Sequence, residues 1–161
     1  MITQVNGLSY MENKMEQVVV AFSRSKKIFS KLVCLVTWSK WSHVALVHNN
    51  SVIEAVGDGV RQVSFRKFEQ DKKEVVLVIF YVKSKEDTLN FALSQLGKSY
   101  DFSALAGIFF KRRWEEPTKW FCSELVAASL MKGGSSPFRE GFTGRITPND
   151  LWMVNPNRIS L

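Results

Sequence analysis

Short apolar runs separated by polar residues dominate the first half of the chain. Val18–Phe22 is an apolar, β-branched run that predicts a buried strand. Residues 26–37 then change to a helical period, with apolar positions at i, i+4, i+7 and i+8, and predict an amphipathic helix. The longest apolar run lies within Glu74–Val82, and its continuity predicts a strand in the centre of a sheet.

A hairpin is predicted between those two strands. His43–His48 and Val52–Val56 flank residues 49–50, which are both asparagine and tolerate positive φ in a tight turn. A second turn at residues 57–59 leads into residues 60–63, which alternate between apolar and polar and predict another strand. We therefore expect the first half of the chain to be mostly sheet.

The second half has helical signals. Ser84 is a predicted N-cap of a helix that carries an apolar stripe as far as Leu96 and stops at Gly97. Residues 101–111 and 122–132 predict two more helices. A last helix is expected at residues 147–150, where threonine, proline and aspartate occupy the N-cap, N1 and N3 positions. Strands followed by helices indicate the α+β class.

Length and composition agree with one globular domain. A chain of 161 residues buries roughly 70% of its unfolded surface, and 45% apolar with 23% charged residues is ordinary globular composition. No repeat or Pro/Gly-rich linker divides the chain. We expect an N-terminal arm over residues 1–17 and a single domain over residues 18–161.

Charge favours an anionic partner without naming one. Twenty-two Lys and Arg against 15 Asp and Glu leave a net charge of +7, which suits nucleic acid, phospholipid or an anionic polymer but also serves solubility. The basic residues are spread along the chain, and no helix-turn-helix, zinc-finger or RNA-binding signature occurs. Nucleic acid is therefore not the expected partner.

Targeting and metal signals are missing from the sequence. The longest apolar run, Val75–Val82, is eight residues, against about 20 for a spanning helix, and residues 1–17 lack a signal-peptide core. Cys34 and Cys122 have no CxxC or Cys/His metal spacing, and no disulfide between them is expected. We predict a cytoplasmic protein without a metal or an organic cofactor.

Cys122 is the strongest candidate for chemistry. It lies in the predicted first turn of a helix, where free backbone N–H groups and the positive dipole end favour a thiolate. The same N–H groups can stabilise an oxyanion on a substrate. The alternative is a buried small hydrophobe, which is an interpretation that fits Cys34 in its aliphatic helix well.

The hairpin places a histidine and a carboxylate on one face. With a two-residue turn, paired positions sum to 99, so that His43 is opposite Val56 and Ala45 is opposite Glu54. His43 and Glu54 are then diagonal neighbours on the same face, close enough for the carboxylate to orient the imidazole. A register error of one residue would separate them. The alternatives are a packed histidine and an exposed glutamate.

Four segments in order resemble the circularly permuted NlpC/P60 cysteine hydrolases, a group that includes YiiX/YebB-like and lecithin retinol acyltransferase-like proteins. The resemblance covers roughly residues 18–152. The segments are Ser42–Val47 with Val52–Ala55 and Gly59–Val60, then Leu96–Phe102, Trp120–Val126 and Ile146–Leu151. Histidine before cysteine is the permuted order.

The resemblance implies a permuted papain-like fold, a small antiparallel sheet or half-barrel packed against helices. It implies Cys122 as nucleophile, His43 as general base and Glu54 as the third, polar residue. Tyr100 matches a tyrosine near the nucleophile, and Ser123 follows the nucleophile, so both are expected to assist with the oxyanion or substrate. From the sequence itself, a tyrosine such as Tyr100 is more often a packing residue, and the alternative for Ser123 is ordinary helix capping.

Two functions remain open from the sequence. The first is a cysteine hydrolase or acyltransferase that cleaves an amide, ester or thioester through a thioester intermediate, on a small-molecule, peptide or lipid acyl substrate. The second is a non-catalytic binding module of the same fold with a basic surface for nucleic acid or anionic lipid. Residues 104–114 mix apolar, aromatic and basic side chains and suit either peripheral contact with an anionic membrane or a core helix. A phage or bacterial origin fits the resemblance.

Overall fold

The fold is described by a computed structural model. It describes residues 15–25, 39–100, 119–135, 138 and 146–154. The predicted helices over 26–37 and 101–111 lie outside the described residues, as do Cys34 and all but the end of the predicted arm.

Strands and helices both occur among the described residues, which confirms the α+β class. The strands are β1 (Glu16–Ser25), β2 (His43–His48), β3 (Ser51–Val56), β4 (Gly59–Ser64), β5 (Lys72–Val82), β6 (Ser99–Tyr100) and β7 (Lys119–Trp120). The helices are α1 (Phe65–Glu69), α2 (Lys85–Ser94), α3 (Cys122–Lys132) and α4 (Pro148–Met153). In the part of the chain described, no helix combines the length and apolarity needed to cross a membrane.

Five strands form one antiparallel sheet in the order β4-β3-β2-β1-β5, and β6 pairs with β7 in a short parallel ladder. The prediction that β5 is central is wrong, because β2 holds that position and β5 is outermost in the described sheet. Both faces of β5 nevertheless contact apolar clusters: Val78 and Phe80 join the main core, while Val75 and Leu77 are partly buried against a second cluster. Coverage of both faces, and not a central position, accounts for its continuous apolarity.

The predicted hairpin register is confirmed. Leu46 is opposite Ile53 and Val47 is opposite Val52 in the β2–β3 ladder, so paired positions sum to 99. Asn49 takes φ 54°, the positive value that a two-residue hairpin turn requires.

The sheet separates two apolar clusters because side chains alternate along each strand. The main cluster packs one face against α3 and contains Val44, Leu46, Ile53, Leu125 and Cys122, among others. The second cluster, on the other face, is small and comprises Ala21, Ala45, Val52 and Phe68.

Helix α1 supplies Phe68 to the second cluster and was not predicted. Its N-cap is Ser64, whose hydroxyl accepts from the Lys67 N–H at 3.3 Å. Five residues are too few to display a helical period, so the apolar pattern around α1 does not predict a helix.

Local capping signals predicted two helix starts correctly. The Ser84 hydroxyl accepts from the Asp87 N–H at 3.0 Å at the start of α2, and Thr147 caps α4 with Pro148 at N1. The extension of the α2 stripe to Leu96 is wrong. The helix ends at Ser94, so Leu96 lies beyond its last turn and is 41% exposed.

Gly59 allows the segment before β6 to dock against β4. It has φ +107°, and a Cβ there would lie 2.5 Å from the Lys98 carbonyl oxygen. The Val60 N–H donates to that same carbonyl at 2.8 Å, and the Gly97 N–H donates to the Val60 carbonyl at 2.9 Å. β6 pairs with β7, and β7 leads directly into α3. The contact with β4 therefore helps to position the segment that precedes Cys122.

Candidate active site

Cys122 is the first residue of α3. Phe121 precedes it in extended conformation at the N-cap, and the Phe121 N–H donates to the Glu124 carboxylate at 3.3 Å. The thiol is free and the residue is 1% exposed. N–H groups in the first turn of a helix have no intrahelical acceptor, so those of Cys122 and Ser123 are available to a ligand.

His43 is the first residue of β2 and lies at the end of its strand. Its Nε2 is 2.8 Å from Oε2 of Glu54, which is the contact expected from the hairpin register. The Cys122 side chain is also close enough to the imidazole to raise the pKa of His43. Since Glu54 occupies Nε2, Nδ1 is the ring nitrogen that remains for a contact with the sulfur.

The two halves of the site belong to different layers. By alternation with Ala45, His43 and Glu54 lie on the face of the second cluster, and the His43 ring is 6.1 Å from that of Phe68. Cys122 belongs to the main cluster on the α3 side. Because His43 is at the end of its strand, its ring is within reach of the α3 N-terminus without passing through the sheet.

Glu54 is a buried carboxylate with two cationic partners. Its side chain is 2% exposed. Oε2 accepts from His43, while Oε1 accepts from Nε and an Nη of Arg61 at 2.9 and 2.8 Å. Burial raises the pKa of Glu54, but the hydrogen bonds and charges of His43 and Arg61 outweigh burial and lower it to about 2.

Sequence reasoning missed Arg61, although the signal was present. A two-residue turn at Gly57 and Asp58 makes paired positions sum to 115, which places Arg61 directly opposite Glu54. The same arithmetic that paired the first hairpin would have found this cross-strand ion pair.

The pKa of His43 is raised to about 9. Burial lowers it, but the charge and hydrogen bond of Cys122 and then those of Glu54 raise it by more. Four side chains therefore follow one another from the helix to β4: Cys122, His43, Glu54 and Arg61. This order favours the imidazolium form of His43.

Tyr100 and Ser123 both lie near the start of α3. Tyr100 is 8% exposed, pairs in register with Trp120, and its ring is 5.9 Å from that of Phe121. Ser123 is fully buried, and its hydroxyl donates to the Ile146 carbonyl. That bond ties α3 to the segment before α4 and leaves the Ser123 backbone N–H as the group available to a ligand.

Comparison with known proteins identifies the family. A family model described as permuted papain-like amidase enzyme, YaeF/YiiX, C92 family, matches residues 17–144. The chain belongs to this family. The predicted permuted papain-like fold is thereby confirmed, and so is a cysteine hydrolase at the level of the family. Assignment to NlpC/P60 or to lecithin retinol acyltransferase-like proteins stays a prediction, and no curated protein matches the chain.

One similar solved structure is the crystal structure of metalloprotein YiiX from Escherichia coli O157:H7. It superposes with a TM-score of 0.56 at 23% identity, over 73% of this chain and 66% of that chain, and so supports the fold. Within the described ranges of this chain, no three His, Cys, Asp or Glu side chains form a group that could hold a metal ion.

Proposed function

We propose that this member of the permuted papain-like amidases hydrolyses an amide through a thioester intermediate on Cys122. The observation that carries the proposal is the coupling of Cys122 to an imidazole that is itself bonded to the buried carboxylate Glu54. This arrangement supports the roles of nucleophile, base and orienting group that nucleophilic catalysis requires.

The first step is acylation. The Cys122 thiolate attacks the carbonyl carbon of the substrate, and the backbone N–H groups of Cys122 and Ser123 stabilise the oxyanion that forms. The His43 imidazolium gives its Nδ1 proton to the leaving nitrogen. The C–N bond breaks, an amine leaves, and an acyl thioester on Cys122 remains beside a neutral imidazole.

The second step is deacylation. Neutral His43 takes a proton from water, and the oxygen of that water attacks the thioester carbonyl. The C–S bond breaks, a carboxylic acid leaves, and the thiolate–imidazolium pair is restored. A different acceptor in place of water would make the same site an acyltransferase.

Tyr100 is the side chain we assign to the wall of the oxyanion site. Its strand β6 is in register with the residue two positions before Cys122, and its ring packs near Phe121 at the helix N-cap. Ser123 contributes through its backbone N–H, because its hydroxyl is already bonded to Ile146.

Alkylation with iodoacetamide across pH 5–9 tests the proposal without knowledge of the substrate. Peptide mass spectrometry separates the labelling of Cys122 from that of Cys34, which serves as an internal reference. Since Cys122 is 1% exposed, the small reagent is preferred. We expect Cys122 to react at pH 5–6 and His43→Ala to remove that low-pH reactivity.

Two results would overturn the proposal. One is labelling of Cys122 that simply rises through pH ~8.5, as for an ordinary thiol, and is indifferent to His43. The other is amine release from acyl amides that is unchanged in a folded Cys122→Ala variant. Either result would favour the non-catalytic binding module, which a salt titration of binding to anionic vesicles or nucleic acid would then examine.

A further inference from the structure

We infer that Arg61 is a positioning residue of this site, which holds Glu54 ionised and turned so that Oε2 faces His43. The inference rests on the proposed function and extends the site by one residue, from the nucleophile helix to the strand β4.

The division of the two carboxylate oxygens supports this role. Two N–H groups of the guanidinium converge on Oε1, at 2.9 and 2.8 Å, and leave Oε2 to His43 at 2.8 Å. A planar guanidinium donates in a fixed fork, so it restricts rotation of the carboxylate better than a single donor would. The pairing is also built into the sheet, because Arg61 is directly opposite Glu54 in the β3–β4 ladder.

The proposed reaction explains why a permanent charge is needed. After acylation, His43 has given up its proton and no longer balances the charge of Glu54. A carboxylate with a 2% exposed side chain is costly to keep ionised without a cationic partner. The guanidinium does not titrate in proteins, so Arg61 supplies that partner in both states of His43.

Few other charges bear on this carboxylate among the described residues. Cys122 faces the imidazole from α3. Asp58 lies 3.9 Å from Arg61 and is 92% exposed, so water screens it strongly. Lys72 lies over the ring of Phe68, which in turn neighbours His43. Arg61 is therefore the cation in direct contact with Glu54 besides His43 itself.

Nitrogen-15 NMR of the histidine rings tests the inference. The chain has two histidines, so a His48→Gln variant assigns His43. In the wild type we expect a single titration step near pH 9 between pH 3.5 and 10. In Arg61→Met, a second inflection should enter this range from the acid side, because Glu54 then keeps only one of its two cationic partners, its pKa rises, and Nε2 senses the change.

Conservative and matched variants sharpen the result. Arg61→Lys keeps the charge and should move the inflection at least about one pH unit below that of Arg61→Met. Arg24→Met removes an arginine that pairs with Glu74 elsewhere on the sheet, and it should leave the titration of His43 unchanged. Adding Glu54→Gln to Arg61→Met should abolish the second inflection.

A single step near pH 9 in folded Arg61→Met would overturn the inference, as would an inflection that persists in the double variant. Should Arg61→Met fail to fold, Arg61→Gln, judged by circular dichroism, decides in its place. Failure of the proposed function looks different. Unactivated labelling of Cys122 in the wild type would refute the mechanism, whatever the titration of the Arg61 variants.

Discussion

Two glutamates on the same sheet each bind two cationic side chains, but their surroundings differ. Glu54 binds His43 and Arg61 and its side chain is 2% exposed. Glu74 binds Arg24 at 2.7 Å and Lys40, and its side chain is 28% exposed. Both carboxyls have a lowered pKa. At Glu74 the main cause is the hydrogen bond from Lys40. At Glu54 burial raises the pKa, but His43 and Arg61 together lower it by more.

The difference teaches what burial adds to an ion pair. Water and salt screen a surface pair, and water can take over when a partner is lost. A buried carboxylate has no such substitute, so its partners must be present and correctly placed. Glu54 can therefore orient a catalytic imidazole, whereas Glu74 is a surface ion cluster of the kind common on proteins.

The largest difference between the two glutamates should be seen in the free energy of unfolding when each carboxylate is removed. Glu54→Ala leaves His43 and Arg61 without their anion, and we expect a loss of about 3 kcal/mol in the free energy of unfolding. Glu74→Ala should change it by less than the error of urea denaturation at pH 6, the measurement that compares them. Equal losses in the two variants would contradict the distinction.

The pH dependence of stability provides a second, smaller contrast. The folded pKa of His43 is raised from 6.5 to about 9, so its contribution is complete below pH 6.5 and is lost as the pH rises through 9. The difference in unfolding free energy between wild type and His43→Gln should therefore shrink by on the order of 2 kcal/mol between pH 6 and 10. Urea denaturation over this range measures it, and a constant difference would refute the raised pKa.

On the acid side, the sign reverses. The folded pKa of Glu54 is lowered from 4.5 to about 2, so its contribution is present above pH 4.5 and is lost as the pH falls towards 2. The His43–Glu54 pair therefore makes its full contribution to the free energy of unfolding between pH 4.5 and 6.5.

Added salt should have the smallest effect, and it should change the pKa of Glu74 but not that of Glu54. In 1 M NaCl the Debye length falls to about 3 Å, so the pKa of Glu74 should rise towards 4.5. The pKa of Glu54 should stay near 2, because salt does not enter its buried contacts. Carboxyl carbon-13 NMR in 0.1 and 1 M NaCl measures both groups in one sample. A shift of equal size at Glu54 would mean that its site is open to solvent.

Local signals explain most of what could be predicted about the elements. The caps at Ser84 and Thr147 involve neighbours three residues away, and the β2–β3 register follows from a two-residue turn. The position of β5 could not be derived in this way, since coverage of its two faces comes from residues distant in the chain. Helix α1 was missed because it is shorter than two helical turns.

The sequence by itself determined the hairpin, the helix that begins at Cys122 and the face shared by His43 and Glu54, because these depend on interactions along the chain or across one tight turn. It contained the Arg61 pairing as well, through the same register arithmetic. Tertiary structure decided that the α3 N-terminus meets the end of β2, that Glu54 is buried, and hence that the pKa of His43 is raised. Burial and charge coupling depend on which distant segments exclude water from a site, and that is a property of the packed molecule.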